Sequence, residues 1–212
     1  FEKAKEKLEE TDASSVAAYT ANYSSFQNYE MVNFSPLFGH QYSHMWIDFA
    51  GIKDAFMRSK PGLDYFENSR RATLANRSYC IENPSKYVGY GADIWGLTAC
   101  DGPGAGTYGK WAYHARGASA AGIADDGTIA PTAAGGSFPF TPTESYAALK
   151  AMKSYKNGAL YTDYGFLDSF NPSEDWIDGW WLGIDQGPIL VMLENYRTQL
   201  IWKLMKKNAY IV

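Results

Sequence analysis

The chain has 212 residues, a net charge of -4, and 19 basic against 23 acidic side chains. This length is typical of one domain with a single core, and the lack of a concentrated cationic surface argues against nucleic acid as a partner. No apolar run approaches the about 18 residues that cross a bilayer, so the sequence predicts no membrane span.

Aromatic residues are unusually frequent, with 16 Tyr, 11 Phe and 7 Trp. Aromatic rings stack on the apolar faces of sugars, but they also fill protein cores. The composition therefore leaves sugar binding and ordinary core packing as alternatives.

The first half of the chain is predicted to hold a charged lead-in and two helices. Residues 1–18 are interpreted as a solvated helix or linker because opposite charges recur at helical spacing, and residues 19–212 as the folded domain. A Ser-Pro step marks a helix entry and predicts one helix over residues 37–56. Apolar spacing predicts a second helix from Leu63 to Ile81, ended by Asn83 and the proline after it.

The second half alternates long loops with two predicted helices. A glycine-rich loop covers residues 89–136, and Thr141–Glu144 forms a capping box that opens a helix through Met152. A second loop covers residues 165–183. The last helix should open near Asp185 and carry one broad apolar face, made of Ile189, Leu190, Leu193, Tyr196, Leu200 and Leu204. No segment alternates apolar and polar residues as clearly as these segments show helical spacing. The sequence therefore predicts an all-α fold of helical hairpins whose loops gather on one face.

Asp185 is the leading candidate for a catalytic carboxylate. It lies where the last helix begins, and the free N–H groups and dipole there favour an ionised carboxylate. A carboxylate held charged at neutral pH can act as a general base on water. The alternative is a simple helix cap, although the flanking Gly183 and Gly187 would let a ligand approach the backbone closely.

Asp101 is the second candidate, in the glycine-rich loop. An Asp-Gly-Pro turn explains this residue without any function. Trp95, six residues earlier, favours a binding role because turn chemistry does not explain a tryptophan there. Arg116 lies further along the same loop and is predicted to contact substrate with Trp95.

His40 and His44 are four residues apart, which is the spacing of a zinc pair on one helix face. No third ligand and no metalloprotease glutamate accompany them, so we expect no metal and no cofactor. Polar contacts at a cleft and packing in the core remain the alternatives. Cys80 and Cys100 are too few for a disulfide scaffold, and a bridge between them stays open.

Several segments in family order together resemble the glycoamylase-like domain family, which includes endo-β-1,2-glucanases. These segments are residues 38–44 with Trp46-Ile-Asp48, residues 65–72, 95–103 and 125–134, Tyr164-Gly-Phe166, Asp168, Phe170-Asn-Pro172, and residues 182–197.

The resemblance implies an (α/α)6 toroid, a secreted or periplasmic location in Gram-negative bacteria, and inverting hydrolysis of a β-linked glucan. Inversion needs an acid and a base about 6.5–9.5 Å apart. The resemblance assigns Asp185 as the base or a water-positioning residue. It also implies that Trp46, Asp168 and Gln186 contact the substrate.

Domains of this family are longer, and the chain resembles only their C-terminal half, which implies about half of a toroid. The proton donor is then expected outside this sequence. Three arrangements stay open: pairing with an N-terminal half of the same toroid, a self-dimer, or a non-catalytic carbohydrate-binding fragment.

Overall fold

The structure is a computed structural model that describes residues 19–104 and 111–209. The charged lead-in predicted for residues 1–18 lies outside the described residues. The α-helices are α1 (Tyr42–Trp46), α2 (Ala55–Arg58), α3 (Tyr65–Glu82), α4 (Pro131–Gly135), α5 (Pro142–Ser154), α6 (Gly183–Thr198) and α7 (Leu200–Met205). Short 3-10 turns cover Leu37–His40, Tyr155–Gly158 and Pro172–Glu174.

Helix α3 confirms the helix predicted from Leu63 to Ile81. It begins because the Asp64 carboxylate accepts a hydrogen bond of 2.7 Å from the Glu67 backbone N–H. It ends at Asn83, whose φ of 47° takes the left-handed conformation that closes many helices. Two buried asparagines on α3 bond to the backbones of neighbouring segments: Asn68 to Val32 and Asn76 to Leu97. The helix therefore fixes the segments that lead to the site.

The all-α prediction is correct for the helix-rich framework and wrong for the loops. Within residues 19–104 and 111–209, ten strands form five antiparallel pairs: β1 (Tyr23–Phe26) with β2 (Tyr29–Val32), β3 (Ala99–Cys100) with β4 (His114–Ala115), β5 (Gly117–Ser119) with β6 (Gly122–Ala124), β7 (Tyr161–Thr162) with β8 (Gly165–Phe166), and β9 (Phe170–Asn171) with β10 (Trp176–Ile177). Each strand has four residues or fewer, which is too short for alternation to show in the sequence. The toroid stays a prediction.

The prediction of one helix over residues 37–56 is wrong. The segment divides into a 3-10 turn, α1, an extended stretch and α2. The carbonyls that would continue α1 are bound by side chains from the C-terminal helices instead. The His44 carbonyl accepts from Trp202 Nε1 at 2.6 Å, and the Met45 carbonyl accepts from Asn195 Nδ2 at 2.9 Å. These tertiary contacts outweigh the local helical preference.

Helix α5 begins at Pro142 as predicted, but the capping box is not formed. The Thr141 hydroxyl lies 3.1 Å from the Ser145 hydroxyl and makes no bond to the backbone of the first turn. The main core lies between α3, α4 and the hairpins, and it includes Trp95, Ile129 and Phe170. Among the described helices, none has both the length and the apolar character to cross a bilayer.

The predicted last helix is divided, and its apolar face is not buried. Helix α6 ends at Gln199, which has a left-handed φ of 60°, and α7 follows at once. The buried side of the pair is formed by Pro188, Met192 and Trp202, together with polar Asp185 and Asn195. The opposite side, which we call the α6–α7 apolar face, consists of the exposed residues Leu190, Leu193, Tyr196, Leu200 and Leu204.

Candidate active site

A small pocket of about 110 Å³ lies where the start of α6 meets α1 and the β3–β4 pair. Two carboxylates lie in its wall, Asp168 from the loop before β9 and Asp185 from the first turn of α6. The remaining lining residues are Phe38, Tyr42, Ala99, Cys100, Tyr113, Leu182 and Ile184. The pocket therefore combines an aromatic and apolar wall with a pair of acids.

The two carboxyl groups behave as one titrating unit. Asp185 is 4% exposed and Asp168 is 1% exposed. Burial, the charge of Asp168 and a hydrogen bond with Asp168 raise the pKa of Asp185 to about 8. Burial also raises the pKa of Asp168, although the Asp101 backbone N–H, 2.7 Å from Asp168 Oδ2, opposes this. Near neutral pH the pair therefore keeps a proton, held at Asp185.

This protonation state differs from the ionised Asp185 expected from the helix terminus. The side chain of Asp185 caps no backbone N–H; the residue before the helix is Leu182. A helix dipole contributes about 0.3–1 kcal/mol, which is less than the about 1.4 kcal/mol of a single pKa unit. Burial beside a second carboxylate therefore outweighs the dipole.

Two further aspartates extend the pair into a larger acidic group. Carboxylate oxygens of Asp101, Asp168 and Asp178 lie within 4.8 Å of one another. Burial raises the pKa of Asp178, and its Oδ2 accepts the Trp180 backbone N–H at 3.0 Å. Such oxygen ligands suit a hard divalent cation, but an acidic group alone does not establish one, so we assign no metal site. Asp178 was missed because only the β9–β10 pairing brings it beside Asp168.

Two tyrosines in the pocket were also missed. Burial, followed by the nearby charges of Asp185, Tyr113 and Asp168, raises the pKa of Tyr42 to about 12. Its hydroxyl therefore stays protonated beside the acid pair and is available as a hydrogen-bond donor. Tyr113 is largely exposed at the pocket wall. Tyr42 lies within residues 38–44, which carry part of the family resemblance, whereas the excess of aromatic residues was the only sequence signal for Tyr113.

Trp95 and Arg116, which were predicted to contact substrate, lie in the interior and outside the pocket lining. Trp95 is fully buried in the main core, where the glycine-rich loop folds back against α4. Arg116 is also fully buried, and its guanidinium binds both carboxylate oxygens of Asp126 at 2.7 and 2.8 Å. Burial alone would raise the pKa of Asp126, but the hydrogen bonds and charge of Arg116 outweigh it and lower that pKa.

Arg116 instead holds the pocket wall together from behind. Its Nη1 donates to the Cys100 carbonyl at 2.7 Å, and its Nη2 donates to the carbonyls of Trp111 and Ala112 at 3.1 Å. A side chain at Gly102 would collide with this guanidinium and with the Trp111 carbonyl. The loop glycine therefore serves close packing rather than ligand approach.

The two histidines are buried, which favours core packing over the alternative of polar contacts at a cleft. His44 is buried among Phe49, Phe66 and Phe140, and its Nε2 lies 3.0 Å from the Ser69 hydroxyl. His40 is buried beneath Phe34. Burial lowers the pKa of each histidine to about 4, so both rings are neutral.

Trp46 and Gln186 lie near the pocket but outside its lining. Trp46 is half exposed in a neighbouring groove of about 320 Å³, which shares Tyr42 and Ile184 with the pocket. Gln186 donates to the Phe166 carbonyl at 2.6 Å and so fixes the β7–β8 hairpin. Cys80 and Cys100 are separate buried thiols, and burial raises the pKa of each.

The chain is similar in sequence to a known protein family and to a named enzyme. Residues 9–209 match the glycoamylase family model, which is described as "Putative glucoamylase". An exo β-1,2-glucooligosaccharide sophorohydrolase of Parabacteroides distasonis is 40% identical over 176 residues, which make up 83% of this chain and 22% of that protein.

Solved structures agree with the family match. A structure with the same glucoamylase description, from Bacteroides uniformis, is 40% identical with a TM-score of 0.78, over 90% of this chain and 43% of that one. An endo-β-1,2-glucanase from Chitinophaga pinensis, in complex with sophorotriose and glucose, is 36% identical with a TM-score of 0.78, over 92% of this chain and 46% of that one. The chain thus spans less than half the length of these relatives. Since the family model covers nearly the whole sequence, the chain belongs to the glycoamylase family.

Proposed function

We propose that the chain supplies one wall of the catalytic cleft of an inverting glycoside hydrolase that acts on a β-1,2-linked glucan. The observation that carries this proposal is the buried Asp168–Asp185 pair, which opens onto a pocket; the raised pKa of Asp185 keeps a proton there, and Asp168 is the group that can take a second one. Relatives named as hydrolases of β-1,2-glucans support the substrate class.

The pair acts as the base of the reaction. The acid and base of an inverting enzyme lie about 6.5–9.5 Å apart, so two carboxyls that lie together in the wall of one pocket of about 110 Å³ belong to the same side of the scissile bond. As water attacks the anomeric carbon, Asp185 accepts the water proton and passes its own proton to Asp168. The pair then holds two protons and no charge, and it returns one proton to solvent after the product leaves.

Asp101 positions the pair rather than transferring a proton. Its backbone N–H holds Asp168 Oδ2, and its carbonyl accepts from the Ser169 hydroxyl at 2.8 Å. The half-buried Asp101 carboxylate and Asp178 are placed to accept hydrogen bonds from sugar hydroxyls. Tyr42 donates to the charged pair or to the attacking water.

The general acid is supplied by the other half of the toroid. The exposed α6–α7 apolar face continues into a groove of about 780 Å³, lined mainly by Phe138, Tyr146, Leu149, Tyr161, Phe166 and Ile189. Soluble monomers rarely expose an apolar surface of this extent, and the relatives contain the additional length that would cover it. Export to the periplasm or the medium stays a prediction from the resemblance.

Calorimetry on the chain tests the substrate class. We expect heat of binding with sophorotriose and weaker or no heat with β-1,3- and α-1,4-linked trisaccharides. Absence of heat with all three would refute a carbohydrate site.

In the assembled catalytic domain, proton NMR of β-1,2-glucan digestion should show the α-anomer first, because inversion changes the configuration; an initial β-anomer would refute inversion.

A further inference from the structure

Helix α4 is buried along its whole length. Residues 125–134, which carry part of the family resemblance, include most of this helix, yet none of them lines the pocket. Buried polar groups are normally hydrogen-bonded, so the partners of the α4 groups show which segments the helix holds. These bonds lead to two of the residues that line the pocket.

The first bond holds Asp185. Thr132 Oγ1 donates to the Asp185 carbonyl at 3.0 Å, and both residues are buried. The two helices approach closely because Gly135 has no side chain: a Cβ at this position would lie 2.6 Å from Ile189 Cγ1. Helix α4 therefore fixes the first turn of α6 through one hydrogen bond and one close packing contact.

A second pair of bonds holds the residue next to Tyr42. Gln41 is buried, and its Nε2 donates to the Ala133 carbonyl and to the Ser137 hydroxyl, each at 2.7 Å. A Cβ at Gly136 would lie 2.9 Å from Gln41 Oε1, so this glycine leaves room for the amide. Tyr42 follows Gln41 directly and is the first residue of α1. The start of α1 is therefore anchored to α4.

The segment before α4 is fixed to the strand that follows Asp168. Ile129 and Phe170 exchange two backbone hydrogen bonds of 2.9 Å. Phe170 lies two residues after Asp168, and Ile129 lies two residues before the helix begins. One short buried helix thus connects the segments of Asp168, Asp185 and Tyr42, which come from distant parts of the chain.

We propose that Thr132 and Gln41 are positioning residues that hold Asp185 and Tyr42 at a fixed spacing for the attack of water. The inference rests on the proposed function. Neither positioning side chain lines the pocket, so each acts through its partner: Asp185 accepts the proton of the water, and Tyr42 donates a hydrogen bond. A displacement of about 1 Å at the reacting groups can lower a rate about 10²-fold.

Steady-state kinetics of Thr132→Val in the assembled catalytic domain tests this role. Valine has the shape of threonine without the hydroxyl, so we expect kcat for β-1,2-glucan hydrolysis to fall about 10- to 100-fold while KM changes less than about threefold. Thr132→Ser restores the hydroxyl and should recover most of the rate. Thr141→Val is the matched control, because Thr141 is also buried and its hydroxyl lies 3.1 Å from that of Ser145, which does not line the pocket.

Gln41→Met tests the second anchor. Methionine has a similar length and no amide, so we expect kcat to fall about two- to tenfold, which corresponds to one hydrogen bond. Should Thr132→Val fail to fold, Gln41→Met beside Thr141→Val decides the question.

Unchanged kcat in Thr132→Val and Gln41→Met, with an active wild-type domain, overturns the positioning role and leaves the proposed function standing. An equal loss in Thr132→Ser and Thr132→Val, or a similar loss in Thr141→Val, also overturns it, because side-chain shape or general stability would then set the rate. A wild-type domain without activity on β-1,2-glucan overturns both proposals.

Discussion

Two glycine-flanked aspartates, Asp101 in residues 95–103 and Asp185 in residues 182–188, look alike in the sequence and differ in the structure. The Asp185 carboxyl enters the pocket beside Asp168, and no ion pair to either group occurs within residues 19–104 and 111–209. The Asp101 segment is held from behind by Arg116, whose charge is neutralised by Asp126. Flanking glycines therefore do not distinguish the two segments, whereas burial of the Asp185 carboxyl beside a second carboxylate does.

The largest expected difference between the two aspartates is in activity. Asp185→Asn should lower hydrolysis of β-1,2-glucan by the assembled domain about 10²- to 10⁴-fold, the usual contribution of a general base. Asp101→Asn keeps the backbone N–H that holds Asp168, so we expect less than a tenfold loss. Reducing-sugar release measures both rates, and calorimetry should show that sophorotriose binding survives in Asp185→Asn. Equal rates for the two variants would erase the distinction.

Stability should respond most strongly on the Arg116 side. Arg116→Met leaves Asp126 buried without its partner, and breaking a buried pair in this way costs about 3–5 kcal/mol. The double variant Arg116→Met with Asp126→Asn is the matched control, because it removes the stranded charge and should recover part of the loss. Urea unfolding measures the free energies. A loss below about 1 kcal/mol for the single variant would show that the Arg116 bonds do not hold the wall.

The glycines of the two segments should also differ in how well they tolerate an added side chain. Gly102→Ala should cost about 1–3 kcal/mol, because the new methyl group meets the Arg116 guanidinium and the Trp111 carbonyl. Gly183→Ala has nothing within 4 Å of the added carbon and lies in α6, so we expect no loss or a gain below about 1 kcal/mol. Thermal unfolding of the two variants side by side tests this, and a destabilised Gly183→Ala would contradict it.

The sequence predicted the elements that local signals determine. The capping Asp64 and the left-handed Asn83 lie close to the ends of a long helix that the apolar spacing shows, and Pro142 opens α5 as expected. The short strands and the break after Trp46 escaped prediction because they depend on distant partners such as Asn195 and Trp202.

The same distinction applies to the site. Asp185 and Asp168 could be found from family motifs, and both line the pocket. Polar and aromatic side chains serve substrate binding and core packing equally well, so a residue type alone does not separate the two roles. Burial in the structure separates them for Trp95, Arg116, His40 and His44. Asp178 joins the acidic group because the β9–β10 pairing brings it beside Ser169 and Asp168, and no residue pattern in the sequence reveals that pairing.

The remaining expected effect is the pH dependence of stability. The folded-state pKa of Asp185 is about 8 against 3.8 for an ordinary aspartate, so the native chain holds a proton that the unfolded chain has lost. The proton's stabilising effect is complete only below the ordinary pKa and is lost as pH rises through about 8, at no more than about 1.4 kcal/mol per pH unit. Urea unfolding between pH 6.5 and 9 should show this decline in the wild type and a flatter profile in Asp185→Asn.

This pH range lies above the range in which His40 and His44 affect stability. Their pKa values are lowered, so they act in the opposite direction and remove stability as pH falls from about 6.5 to about 4. Parallel profiles for wild type and Asp185→Asn would mean that Asp185 does not hold the proton, and Asp168→Asn would then be the variant in which the slope disappears.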